Sequence, residues 1–202
     1  MSRYPHIYLA SRSPRRRELL KQIGVSYEML LLREHIGREA DINENALPGE
    51  SPEAYVRRVC ETKAGIAWRR ITERKMVLHP VLAADTTVCI DGEILAKPAD
   101  NADALRMLKL LSGREHRVLS AVALQSGQQR RLAISDSRVR FREISDDEIA
   151  SYIACAEPMG KAGAYAIQGR AAVFVAMLSG SFSGVMGLPL YETAELLRKF
   201  QP

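Results

Sequence analysis

An apolar segment runs directly into a basic helix near the start of the chain, and this junction restricts the fold more than any other feature. Residues 7–10 are apolar and predict a short buried strand, which small polar residues then end. Ser13 is a typical helix N-cap, and Pro14 suits the first helical position because its missing N–H costs nothing there. The helix carries an apolar stripe and ends at Gly24, so the segment predicts a strand–turn–helix unit.

The first turn of this helix is cationic. Acidic residues would stabilise the positive end of the helix dipole, whereas Arg15 and Arg16 oppose it. Such a turn is favourable when an anion, most simply a phosphate, binds to the free backbone N–H groups. Solvated arginines on an exposed turn are the alternative that these residues alone leave open.

Strands and helices alternate along the rest of the chain, with hairpins among them. Further strands are predicted over residues 26–32, 81–90, 117–125, 129–141 and 171–178. Further helices are predicted from Ser51, from Asp100 or Asn101, from Ser145 to about Cys155, and from about Pro189 to Phe200. Asp91-Gly92 is a hairpin turn signal. The pattern predicts an α/β fold with a mixed sheet rather than a purely parallel one.

Size and composition bound the class of protein. A chain of 202 residues with 47% hydrophobic and 26% charged residues fits one large domain, or two lobes that share a cleft. No apolar stretch approaches the ~18 residues of a membrane span, and the N-terminus lacks the apolar core of a signal peptide. A membrane partner is therefore not expected.

Cysteine, histidine and charge give three further indications. Three cysteines without CxxC spacing argue against a disulfide framework and favour the cytoplasm. Four scattered histidines argue against a zinc site. The net charge of +5 suits an anionic ligand but does not choose between a nucleotide and a nucleic acid.

Six sequence blocks in a fixed order span nearly the whole chain. They are LASRSPRRRELL at 9–20, ADT at 84–86, LAKP at 95–98, LSG at 111–113 with AVAL at 121–124, EPMGKAGAYAIQG at 157–169 and GLPL at 187–190. In these blocks the chain resembles the Maf family of nucleoside triphosphate pyrophosphatases. The resemblance implies one domain over residues 1–202, with a mixed twisted sheet flanked by helices and two lobes around a nucleotide-binding cleft, as in inosine triphosphatase-like proteins. It also implies a house-cleaning enzyme that converts a nucleoside triphosphate to the monophosphate and pyrophosphate.

Asp85 is the candidate catalytic residue. It lies inside an apolar strand, where an ionised carboxylate is costly unless it binds a metal or accepts several hydrogen bonds. The resemblance implies that Asp85 accepts the proton of the attacking water and contributes to a metal site with Glu44. Asp41 is the second choice for the Glu44 position. Oxygen ligands indicate Mg²⁺ or Mn²⁺ as the divalent cofactor.

The resemblance also assigns residues to the two ends of a nucleotide. Phosphate binding is expected at Ser13, Arg16, Lys63 and Lys97, where lysine acts as a point charge.

Base selection is expected at Arg15, Thr86 and Gln168. A glutamine amide is complementary to the N3–H and carbonyl of uracil or thymine, although a flipped amide also fits cytosine. The AYAIQG form of the loop at 164–169 resembles the dTTP/UTP branch of the family rather than the 7-methyl-GTP branch.

Three residues depart from the family pattern, and two other functions stay open. Arg12 adds charge beside the phosphate turn, Gly160 replaces an acid that would pair with Lys161, and Ala166 replaces a glycine and is expected to restrict the loop. A nucleotide-binding regulator with little turnover is one alternative. A nucleic-acid-binding protein, with residues 14–27 in a helix-turn-helix, is the other. The oligomeric state, a homodimer included, is left open.

Overall fold

A seven-stranded mixed sheet forms the centre of the computed structural model, which describes residues 4–32 and 42–200. Its strands are β1 (Ile7–Leu9), β2 (Tyr27–Met29), β3 (Val81–Ile90), β4 (Glu93–Leu95), β5 (Glu115–Ser126), β6 (Gln129–Phe141) and β7 (Val175–Ser179). The order is β2-β1-β3-β5-β6-β7, and β4 pairs with β3. β1 is parallel to both of its neighbours and the other pairs are antiparallel, which confirms the mixed α/β prediction.

Helices cover both faces of this sheet. They are α1 (Pro14–Gln22), α2 (Pro52–Glu73), α3 (Asn101–Leu111), α4 (Asp146–Ala154), α5 (Phe182–Met186) and α6 (Leu190–Lys199). The long helix α2 packs through its apolar stripe against β3 and β5, and α1 and α6 pack on the opposite face. A third apolar core packs α3 and α4 against β3, β5 and β6 near Val88, Val118 and Val139. Within residues 4–32 and 42–200, no helix is long and apolar enough to cross a membrane.

Local capping explains where three of the helices begin. The side chains of Ser51 and Asp100 accept hydrogen bonds from the first turns of α2 and α3. Ser145 and Glu148 form a reciprocal capping box at α4. These three starts follow from short-range chemistry, and the sequence predicted each of them.

The segment between α4 and α6 differs from the prediction. The strand expected over 171–178 is wrong in its first half, where the chain forms a 3₁₀ helix at Arg170–Phe174, and only Val175–Ser179 is extended. Ala171 and Phe174 lie three residues apart and are both buried, which is the period of a 3₁₀ helix and not of a strand. The short helix α5 was not predicted.

One edge of β3 is left open between two partners. Its first residues pair with β1, and Val88–Ile90 pair with β4. Among the described strands, none covers residues 83–87 on that side. The gap exposes the middle of a buried strand to a cleft.

Candidate functional site

A cavity of about 760 Å³ opens at this uncovered edge of β3. All of the residues predicted for the site line it, namely Ser13, Arg15, Arg16, Glu44, Lys63, Asp85, Thr86, Lys97 and Gln168. They come from six separate segments, and the fold brings all of them together. Asp41, the second choice for the Glu44 position, lies outside the described residues.

Charged side chains form a compact group on the α2 side of the cavity, here called the Lys63 cluster (Glu44, Lys63, Asp85 and Lys97). The Lys63 Nζ atom lies 2.7 Å from Asp85 Oδ1 and 2.7 Å from Glu44 Oε1. Lys97 Nζ lies 3.4 Å from Glu44 Oε2. Lys63 lies one turn after the buried Val59 on α2, so it faces β3 where Asp85 projects.

The charges of this cluster compensate one another. Burial by itself raises the pKa of Glu44, but Lys63 and then Lys97 outweigh it and hold that pKa below its usual range. Burial by itself lowers the pKa of Lys63, but the carboxylates of Asp85 and Glu44 outweigh it and raise that pKa. Glu44 and Lys63 therefore both carry charge at neutral pH, and removing one partner would leave the other uncompensated.

Helix α2 also holds the loop that carries Glu44. The Tyr55 hydroxyl donates to the Glu44 carbonyl oxygen at 2.9 Å. The Arg58 guanidinium donates to the carbonyl oxygens of Asn43 and Asn45 and pairs with Glu50 at 2.6 Å. Sequence reasoning missed these positioning roles, since a tyrosine and an arginine at helical spacing carry no signal of the loop they bind.

The N-terminus of α1 forms a second wall. Ser13 occupies the N-cap position, as predicted, and its hydroxyl makes no capping hydrogen bond to the first turn. The Arg16 guanidinium donates to the Gly187 carbonyl at 2.8 Å and to the Ser11 hydroxyl at 3.2 Å. Burial lowers the pKa of Arg16, and the Asp85 carboxylate opposes that effect.

Arg15 lies beside this wall, and one of its N–H donors has no hydrogen-bond partner in the described ranges. Burial and the neighbouring Arg16 lower its pKa, and Glu157 opposes them. Its Nε atom is buried and has no hydrogen-bond partner among residues 4–32 and 42–200. The first turn of α1 contains no acid, so the wall offers positive potential and N–H donors to an anion.

The loop at 157–169 forms the wall that carries Gln168. The Tyr152 hydroxyl donates to Glu157 Oε1 at 2.9 Å and accepts from the Ala166 backbone N–H at 3.3 Å. Gly163 has a φ of +66° and packs on Val88, where a Cβ atom would come within 2.9 Å of that side chain. The loop is thus tied to the core at three points, while the Gln168 side chain is exposed at the mouth of the cavity.

The structure describes all three residues that depart from the family pattern, Arg12, Gly160 and Ala166. Arg12 donates to the Leu32 carbonyl at 3.1 Å at the rim of the cavity. Gly160 adopts a φ of +72°, and Lys161 donates to the Met159 carbonyl at 3.3 Å. Ala166 is absent from the described residues with positive φ, so alanine brings no backbone strain at this position.

The donor set fits a hard divalent cation. In the described ranges, no group of three or more His, Cys, Asp or Glu side chains converges as a metal site. Glu44 and Asp85 nevertheless each place a carboxylate oxygen against one cationic nitrogen, so the two oxygens lie no farther apart than twice 2.7 Å. One or two carboxylates, completed by phosphate oxygens and water, is the usual protein site for Mg²⁺.

Comparison with known proteins identifies relatives over nearly the full chain. The family model described as "Maf-like protein" matches residues 6–200. The chain is 57% identical over 195 residues to a dTTP/UTP pyrophosphatase of Ralstonia nicotianae, covering 96% of this chain and 93% of the relative. It is 56% identical to one of Nitrosomonas europaea, with 96% and 93% covered, and 52% identical to one of Dechloromonas aromatica, with 97% and 98% covered.

A weaker likeness appears among solved structures. The Staphylococcus aureus Ham1 protein is 15% identical, with 67% of this chain and 71% of that chain covered, at a TM-score of 0.43. A likeness at this level carries no functional argument.

Proposed function

The chain belongs to the Maf family, and on this premise we propose that it hydrolyses dTTP and UTP to the monophosphate and pyrophosphate. The relatives reported above bear the name of that activity. The observation that carries the proposal is the Lys63 cluster, which lies in one cavity with the cationic start of α1. We propose one catalytic unit over residues 1–202 that removes surplus or non-standard pyrimidine nucleotides.

The phosphates are assigned to the cationic part of the cavity. The free N–H groups at the start of α1 and the Arg16 guanidinium meet them on one side, with Ser13 at the turn. Lys63 and Lys97 meet them on the other side. Cations on both sides neutralise the charge of the triphosphate and of the pyrophosphate that leaves.

Asp85 is assigned the proton of the attacking water. The water oxygen forms a bond to the α-phosphorus, its proton passes to the Asp85 carboxylate, and the bond from the α-phosphorus to the bridging oxygen breaks. Pyrophosphate leaves with that oxygen and its electron pair. Mg²⁺ or Mn²⁺, held by Glu44 and Asp85, would supply Lewis-acid neutralisation of phosphate oxygens. Lys63 keeps the Asp85 carboxylate oriented through its 2.7 Å contact.

The base is assigned to the wall formed by Thr86, Gln168 and Arg15. These three residues line the same cavity as the Lys63 cluster. The hydroxyl of Thr86 and the amide of Gln168 match the hydrogen-bonding edge of uracil or thymine. A purine needs a larger space in the same place.

The two alternative functions make different demands on the same residues. A nucleic-acid-binding helix would turn its arginines outward, whereas Arg15 and Arg16 line the cavity here. We therefore propose a free nucleotide as the partner, with neither nucleic acid nor membrane. Buried Cys60 and Cys89 carry free thiols, which suits the reducing cytoplasm that we propose. A nucleotide-binding regulator differs only in lacking turnover.

The test is a panel of nucleoside triphosphates incubated with the purified protein and Mg²⁺, with pyrophosphate and inorganic phosphate assayed separately. We expect pyrophosphate from dTTP and UTP, with loss of turnover in EDTA and recovery on addition of Mg²⁺ or Mn²⁺. Release of inorganic phosphate and a diphosphate would contradict the reaction type. Tight nucleotide binding without any product would favour the regulator.

A further inference from the structure

We propose that Ser120 fixes the direction of the Thr86 hydroxyl, so that Thr86 presents the nucleotide base with a hydrogen-bond acceptor and not a donor. Ser120 is then a positioning residue for base selection. The inference rests on the proposed function, because it assigns the chemical sense of one contact in that same site.

Ser120 lies behind Thr86, away from the cavity. The two residues are direct partners in the antiparallel pair of β3 and β5, and Ser120 is 1% exposed. Its Oγ atom lies 2.6 Å from the Gly184 carbonyl oxygen in α5 and 2.8 Å from Thr86 Oγ1. Ser120 thus joins the cavity wall to the backbone of α5.

The position of the Ser120 proton follows from these distances. A carbonyl oxygen has no proton to donate, and two oxygens 2.6 Å apart repel unless a hydrogen lies between them. Ser120 therefore donates its one proton to Gly184. That carbonyl also accepts the Gly187 backbone N–H at 2.9 Å, which holds it in place.

The Thr86 hydroxyl can then point its hydrogen bond in only one direction. Since the Ser120 proton is already used, the 2.8 Å contact requires Thr86 to donate its own proton to Ser120. The remaining lone pairs of Thr86 Oγ1 are then the only hydrogen-bonding capacity that this hydroxyl offers to a ligand. Thr86 lines the cavity, so a group that faces it there must be a donor.

This polarity separates the pyrimidines. Uracil and thymine carry a donor at N3, whereas cytosine carries an acceptor there, which would place two lone pairs against each other. Gln168 cannot supply this distinction by itself, because an exposed amide can turn over and exchange its donor for its acceptor. The hydroxyl relay from Gly184 through Ser120 cannot turn over without losing the 2.6 Å hydrogen bond.

The test compares kcat/KM for UTP and CTP in the wild type and in Ser120→Ala. The variant frees the Thr86 hydroxyl to rotate, and we expect the UTP-to-CTP ratio to fall on the order of tenfold. Ser137→Ala is the matched control. Its hydroxyl is fully buried in the adjacent strand β6 and bonds to Ser181 at the start of α5, so it supports the same helix without reaching Thr86. We expect this control to keep the wild-type ratio.

A double variant shows whether Ser120 acts through Thr86. In a Thr86→Val background the hydroxyl is absent, so adding Ser120→Ala should leave the UTP-to-CTP ratio unchanged. A further tenfold fall in that background would overturn the proposal, as would an unchanged ratio in the single variant. If Ser120→Ala fails to fold, the nearly isosteric Ser120→Cys tests the same point, since a thiol is a poor donor and a poor acceptor, and the ratio should again fall.

Failure of this inference is distinguishable from failure of the proposed function. A wild type that releases no pyrophosphate from UTP or dTTP contradicts the function. The base contact is then tested by the affinities for UMP and CMP, which need no turnover. Equal affinities in the wild type, or a UMP preference that survives Ser120→Ala, would overturn the role of Ser120.

Discussion

Asp85 and Thr86 are neighbours in β3, yet they belong to opposite sides of the cavity. Side chains alternate between the faces of a strand, so Asp85 projects toward α2 and meets Lys63, whereas Thr86 projects toward α5 and meets Ser120. Both line one cavity because the edge of β3 is open between β1 and β4. A single uncovered edge thus brings side chains from both faces of a buried strand into one cavity.

The two sides offset the cost of burying polar groups in different ways. The α2 side buries charges and compensates them with ion pairs, which hold Glu44 and Lys63 in their ionised forms. The α5 side buries neutral hydroxyls and satisfies them with a directed hydrogen-bond chain. Changes on the first side should therefore act on the rate of the reaction, and changes on the second side on the choice of base.

The largest effect is expected at Asp85. Asp85→Asn removes the proposed proton acceptor and should lower kcat by ~10²–10⁴ while the protein still folds and binds nucleotide. Steady-state kinetics with dTTP, together with nucleotide affinity by calorimetry, measure both quantities. Asp91→Asn, a surface carboxylate paired with Arg114 at the β3–β4 turn, is the control and should keep wild-type turnover. Near-normal kcat in Asp85→Asn would assign the base elsewhere.

The second effect is on the stability of the protein in acid, and it concerns a buried group that is neutral, unlike the buried charges on the α2 side. His116 is 2% exposed and contacts the hydroxyl of Tyr165, a cavity residue, at 2.9 Å. Burial lowers the pKa of His116 from 6.5 to about 4. The unfolded chain therefore binds this proton first, and roughly 3 kcal/mol of stability, fully present above pH 6.5, is lost as pH falls toward 4.

Urea unfolding at pH 7 and pH 5 measures this loss. His116→Gln should be less stable at pH 7 but should lose less on acidification, because an amide does not titrate in this range. The depressed pKa of Glu44 keeps that carboxylate ionised through most of the same window. An unchanged pH slope in His116→Gln would show that other groups cause the acid sensitivity.

The third effect concerns the mouth of the cavity. Gln168→Ala should lower kcat/KM for dTTP by ~1–3 kcal/mol, because the variant removes the proposed hydrogen-bond partner of the base. A poor purine substrate should be affected much less. Equal losses for dTTP and GTP would mean that Gln168 holds the loop or the phosphates and does not contact the base.

The smallest effect is expected at Tyr55, which holds the Glu44 loop from α2. Tyr55→Phe removes the 2.9 Å hydrogen bond to the Glu44 carbonyl and should cost about 1 kcal/mol in kcat/KM. The loss should be equal for UTP and CTP, since the change is on the charged side. Tyr191→Phe, at a tyrosine that is 72% exposed, is the control. A change in the UTP-to-CTP ratio in Tyr55→Phe would show that the two sides are coupled.

Local chemistry accounts for the parts of the fold that the sequence predicted well. The bounds of β3 agree with the prediction because a strand-forming run, apolar except at residues 85–87, between a proline and an Asp-Gly turn has few other solutions. The capping box at Ser145 needs only residues three apart. The segment at 170–186 failed because its 3₁₀ helix and α5 span five residues each, too few for periodicity to separate them from strand or loop.

For the candidate site, too, the sequence determined some features and the tertiary structure determined others. The sequence by itself indicated which residue types bind an anion, which carboxylate is costly to bury, and the family whose motifs carry both. Only the tertiary structure joined Lys63 to Glu44 and Asp85, placed Tyr55 behind the Glu44 loop, and set Ser120 between Thr86 and Gly184. Those contacts join residues 11 to 64 positions apart, and hydrogen-bond direction depends on distances between oxygens. Sequence spacing does not encode such distances.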